Sequence, residues 1–94
     1  MSWNRASLEQ KVEGILRLVF GLEPGEIDVE QSFAEDLMAE SLDYVDIELH
    51  VRNAFNIPFD FAKAAEEIRG GDTFPIRVRD LIDYLERRVV HAGS

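Results

Sequence analysis

"DLMAESLDYVDIELHV", residues 36–51, sets one serine among carboxylates, with no lysine or arginine anywhere in the stretch. From Ser41 onward it reads as a helix over 41–55. The "NIP" that follows ends it, because Pro58 disfavours helical geometry in the residue before it. At about 100° per residue, Leu42, Val45 and Leu49 fall together, while Tyr44, Ile47, Val51, Ala54 and Phe55 fall on the opposite side. Two apolar faces call for two covers, so the expectation is a helix inside a bundle. Asp43, Asp46, His50 and Asn53 form the narrow polar stripe between the faces. Serine is also a preferred N-cap, which gives the Ser41 hydroxyl a purely structural reading at the start of this helix.

Upstream, "SLEQKVEGILRLVF" (7–20) repeats apolar residues at Leu8, Val12, Ile15, Leu16, Val19 and Phe20, one stripe of a 3.6-residue period. Ser7 and Gln10 have the spacing of a capping box at its start. Gly21 and Pro24 end this helix, and an acidic loop anchored by Ile27, Val29, Phe33 and Leu37 leads to about residue 40. Downstream, Phe61, Ala64, Ala65 and Ile68 predict a short helix closed by Gly70 and Gly71. Val78, Leu81, Ile82, Leu85 and Val89 predict a last helix within 75–90, with Arg87 and Arg88 near its C-terminus, where the helix dipole favours cations. No strand alternation or repeat appears. The expected fold is therefore all-α: a four-helix bundle of three longer helices and one short one, around a single core.

The chain has 94 residues, 46% hydrophobic and 31% charged, which suits one globular domain over 1–94. Its ordered core is expected at about 7–90, with frayed ends including the tail "HAGS". The N-terminal stretch carries no apolar signal core and no run approaches a membrane span, so the expectation is a cytoplasmic protein without membrane insertion, and its acidic surface makes a monomer the expected state. Net charge is −9. No lysine or arginine falls between Arg17 and Arg52, whereas ten carboxylates do, from Glu23 to Glu48. Such a one-sign field repels nucleic acid and steers basic partner surfaces, although an acidic surface also serves plain solubility.

Several chemistries are excluded or weakened by the residues themselves. The absence of cysteine removes disulfides, thiolate metal sites and a cysteine nucleophile. A hydrolytic Ser41–His50 pair fails on geometry, since nine helical residues separate them by roughly 13 Å and half a turn. His91 could serve as a base only if the tail folded back, and no G-x-S-x-G elbow is present. No calcium loop or H-E-x-x-H motif gathers the carboxylates into a metal site.

With these set aside, "DLMAESLD" (36–43) resembles the D-L-G-x-D-S-L-[DE] motif of acyl and peptidyl carrier proteins. The likeness extends through "SFAEDL", "NAFNIP" and the closing "VRDLIDYLERR", over about residues 7–90. The resemblance implies a non-catalytic carrier with 4′-phosphopantetheine esterified to Ser41. A holo-acyl-carrier synthase or other phosphopantetheinyl transferase would transfer the group from coenzyme A with Mg²⁺. Acyl groups would then ride as thioesters to acyl-loading and acyl-transferring enzymes. Asp36, Glu40, Asp43, Asp46 and Glu48 are the candidates for docking basic enzyme surfaces, with a solvated helix face as their bland alternative. Val45, Leu49, Phe61 and Ile68 are the candidates for an acyl pocket, each also readable as core, and Phe59, Phe61 and Phe74 could plug the bundle or wall a cavity.

Two departures stand beside the attachment motif: Met38 where the family usually has Gly, and Glu40 where it usually has Asp. The 59–76 connection is longer than usual, which resembles specialised carriers serving one dedicated pathway. The alternatives are a peptidyl or aminoacyl carrier, and an interaction module of the same fold that uses its acidic helix without modification.

Overall fold

The computed structural model describes residues 3–90. The "HAGS" tail with His91 lies outside the described residues. Four α-helices follow in chain order: α1 (Arg5–Phe20), α2 (Ser41–Phe55), α3 (Phe61–Arg69) and α4 (Val78–Leu85), the last running into a π-helical turn over Glu86–Val90. Among the described residues there is no strand. The four-helix all-α bundle is thus the fold, but the closing helix is α-helical only to Leu85, no longer than α3, and exceeds it only together with the π-helical turn.

α1 begins earlier than the Ser7–Gln10 spacing predicts. Asn4 is its N-cap, with Asn4 Oδ1 accepting the Ser7 amide at 2.9 Å and Ser7 Oγ accepting the Asn4 amide at 3.1 Å. Ser7 is therefore the third helical residue, and the reciprocal pair satisfies two amides that a start at Ser7 would leave unpaired. Trp3, just ahead of the cap, lays its ring 4.7 Å from that of Phe55 and so ties the start of α1 to the end of α2.

The core gathers Leu8, Val12, Ile15 and Leu16 of α1, Ile47, Val51 and Phe55 of α2, and Val78, Leu81, Ile82 and Leu85 of α4. α1 packs on α2 and α4, and α3 packs on α4. The expectation of two covers for α2 does not hold. Its Ile47–Val51–Phe55 face is buried, but Leu42, Val45 and Leu49 are 77%, 54% and 50% exposed. Among the described residues no helix covers that second face, and α3, nine residues long, packs on α4 instead.

The long acidic loop is ordered by hydrogen bonds to the segment before α4. Phe33 N–H donates to the Ile76 carbonyl at 3.0 Å, Val78 N–H to Gln31 at 2.9 Å, and Arg79 N–H to Val29 at 2.9 Å. This short antiparallel stitch sinks Phe33 into the core and fixes where the loop delivers the chain to α2. Arg88, placed in sequence by the helix dipole, instead contacts both Glu67 carboxylate oxygens at 2.8 and 2.9 Å and stacks 4.5 Å over the Tyr84 ring.

Candidate functional site

Ser41 opens α2 but is not its cap. Glu40 holds the extended N-cap geometry (φ −104°, ψ 172°), and Asp43 Oδ2 accepts the Glu40 amide at 2.9 Å. The structural reading of Ser41 as a cap therefore fails, because Glu40 is the N-cap residue and Asp43 closes the capping box onto its amide. The Ser41 side chain is exposed and makes no hydrogen bond among the described residues. A reachable hydroxyl at the positive end of a 15-residue helix dipole is suited to carry a phosphate ester.

Met38, three residues ahead, sits at φ +53°, in the left-handed region. The resemblance noted glycine at this place, and the backbone shows why: the turn that lifts the chain from the loop into α2 requires positive φ, which glycine adopts without strain. Methionine here accepts that strain and leaves its own side chain exposed beside Ser41.

The acidic candidates divide by what they touch. Asp36 Oδ2 accepts the Ser32 amide at 2.8 Å, while Ser32 Oγ accepts the Glu35 and Asp36 amides at 3.2 Å each. Ser32, buried in the loop, went unremarked in the sequence, where only its capping-type spacing to the acids after it could have marked it. Asp43 caps α2, and Glu48 Oε2 accepts the Phe61 amide at 2.7 Å, which closes the first turn of α3. Glu40 and Asp46 face water.

Beside Ser41 a cavity of about 400 Å³ opens between α2 and α3, lined by Phe33, Tyr44, Phe61 and Ile76, with Ala34, Ala62, Glu48 and Arg69 also on its wall. The Phe61 ring lies 5.2 Å from Phe33 and 4.8 Å from Tyr44. Burial pushes the Tyr44 phenol upward, with the nearby Arg69 charge acting against it. Of the four pocket candidates, Phe61 lines this cavity. Ile68 packs partly buried on the core, and Val45 and Leu49 face water instead of an interior. Phe59 meets Phe61 at 6.1 Å, while Phe74 is more than a third exposed and outside the cluster, so Phe33 and Tyr44 are the aromatic walls that the sequence grouping missed.

No helix among the described residues is long and apolar enough to cross a membrane, and no group of histidine and carboxylate side chains there could hold a metal ion.

A family model described as the phosphopantetheine attachment site matches residues 10–68. Curated relatives agree. The acyl carrier protein of Nitratidesulfovibrio vulgaris strain DP4 is 30% identical over 82 residues, covering 87% of this chain and 97% of that protein. That of Guillardia theta is 30% identical over 88 residues, with 92% and 96% covered, and that of Thermosynechococcus vestitus 28% over 86 residues, with the same coverage. Chain-wide similarity, together with a helical bundle that presents an exposed serine in the matched region, leaves one assignment: the chain belongs to the acyl carrier protein family, carriers rather than enzymes, built around a covalently attached 4′-phosphopantetheine.

Proposed function

We propose that Ser41 is the residue to which 4′-phosphopantetheine is attached, and that the chain holds acyl intermediates as thioesters and presents them to partner enzymes. The observation that carries this reading is the Ser41 hydroxyl, which is exposed and hydrogen-bonded to nothing among the described residues. Every other feature of the helix start works without it, since Glu40 and Asp43 form the cap. When attached, the group supplies a thiol on a long flexible arm. The chain's own residues do the rest. The α2 dipole stabilises the ester's negative charge, and the aromatic cavity next to Ser41 shelters apolar cargo. Glu40 and Asp46 are free to meet basic enzyme surfaces, while Asp36, Asp43 and Glu48 combine any such contact with structural hydrogen bonds.

Leu42, Val45 and Leu49 extend this reading. An apolar stripe that starts one residue after Ser41 and stays in water is better suited to contact a partner than to hold cargo. The acids beside it supply orientation, and the stripe supplies buried area once a partner has docked. The unmodified interaction module would use the same surface but leaves the unengaged hydroxyl without a purpose. Transfer from coenzyme A with Mg²⁺ to the wild-type and Ser41→Ala chains, read by intact mass, tests the assignment.

A further inference from the structure

One cation lines the Ser41 cavity: Arg69, the last residue of α3. Its Nε donates to the Phe74 carbonyl at 2.9 Å, which anchors the guanidinium and leaves both Nη groups for other partners. Arg5, Arg79 and Arg88 each pair with a carboxylate, whereas Arg17, Arg52 and Arg77, like Arg69, are held by backbone carbonyls; of these only Arg69 lines the Ser41 cavity. Among the described residues Arg69 has no carboxylate within ion-pairing distance. The cavity also holds a carboxylate, Glu48, one oxygen of which accepts the Phe61 amide, and it forms no ion pair with Arg69.

Position at a helix C-terminus explains a basic residue here, but not its placement on this wall. Arg69 is half-buried, and its neighbours in the lining are Phe33, Phe61 and Ile76. The guanidinium is solvent-accessible and carries no ion pair among the described residues, so its Nη groups are open to an incoming anion, a charge-assisted contact stronger than a neutral one. Its field reaches the Tyr44 phenol, where it opposes the upward push of burial. Tyr44 lies three residues after Ser41, on the same side of α2.

We propose that Arg69 makes the Ser41 cavity a receiving site for an anionic oxygen group carried on Ser41. The inference rests on the reading of Ser41 as the attachment point. Two sources present this chemistry: the phosphodiester of the arm itself, and a carboxylate at the far end of an acyl cargo. Both are tethered to Ser41, so even a weak contact is favoured by high effective concentration.

The test follows the Arg69 Nε–H resonance of ¹⁵N-labelled chain in four states: apo, holo, and holo loaded with butyryl or succinyl. The signal is assigned through Arg69→Lys. Arg79 and Arg88, ion-paired at the surface, serve as controls. A shift of Arg69 beyond both controls on conversion to holo identifies the phosphodiester. A shift beyond both controls only with succinyl, and not with butyryl, identifies the cargo carboxylate. Arg69 moving no further than Arg79 and Arg88 in all states, with the mass increase on Ser41 confirmed, overturns the inference alone. An unchanged mass overturns the attachment reading and the inference together.

Discussion

The Glu48 carboxylate on α2 accepts the amide of Phe61, the first residue of α3, at 2.7 Å. One side chain therefore couples the helix that presents Ser41 to the helix across the cavity. Glu48→Ala removes the acceptor and leaves a partly buried amide unpaired, at a cost of about 1.5–3 kcal/mol. Glu48→Gln keeps an acceptor oxygen and loses less. The urea midpoint, read at unchanged m-value, checks this; equal midpoints for wild type and Glu48→Ala would show that the bond contributes nothing.

Glu40 and Asp46 make the complementary case. Both are exposed, so Glu40→Gln and Asp46→Asn change stability by less than about 0.5 kcal/mol. Each slows association with a basic transferase at low salt. The difference from wild type closes near 1 M salt, where the Debye length is about 3 Å. Stopped-flow association rates across a salt series decide it, and a defect that persists at high salt would point to lost packing instead of lost steering.

Met38 at φ +53° supplies a test of backbone strain. A left-handed non-glycine residue costs roughly 1–2 kcal/mol, and glycine's greater freedom in the unfolded chain returns about 0.5–1 kcal/mol of any gain. Met38→Gly is therefore neutral to stabilising by up to about 1.5 kcal/mol, whereas Met38→Val, β-branched at positive φ, loses at least about 1 kcal/mol. Thermal unfolding of the pair gives the ranking. A Met38→Val chain as stable as the parent would contradict the backbone assignment.

These residues also show what could be read in advance. The four helices follow from apolar spacing and from Gly70, and Ser41 stands at the start of α2 where that reading puts it. Which face of α2 is covered was not legible, because Leu42–Val45–Leu49 and Ile47–Val51–Phe55 carry comparable apolar patterns, and only the packing of the neighbouring helices decides. Asn4 and Ser7 are both good caps, and the choice turns on a reciprocal bond seen only in three dimensions. Asp36 and Glu48 looked like any others in an acidic run, since the amides they accept belong to a turn and to another helix. Arg69 gains its significance only when the fold brings α3 against the Ser41 cavity.

The chain has two tyrosines, and both phenols are held above the ordinary value of 10.0. Burial is the main cause in each, joined at Tyr84 by its hydrogen bond to Glu67 at 2.9 Å. The folded state favours the neutral phenols, so this contribution to stability is complete below pH 10 and is lost as pH rises through the higher folded values. At pH 10 the folded chain shows less than half its tyrosinate absorbance, and adding urea raises it towards half. Half ionisation in the folded state at pH 10 would contradict the burial of both rings.

The most direct measurement of the central claim is intact mass after incubation with coenzyme A, Mg²⁺ and a broad-specificity phosphopantetheinyl transferase. Wild-type chain gains the mass of one phosphopantetheine, and Ser41→Ala, which retains the Glu40–Asp43 cap and unfolds at the same urea concentration, gains none. A wild-type mass unchanged with several transferases, or a gain that survives in Ser41→Ala, would contradict it.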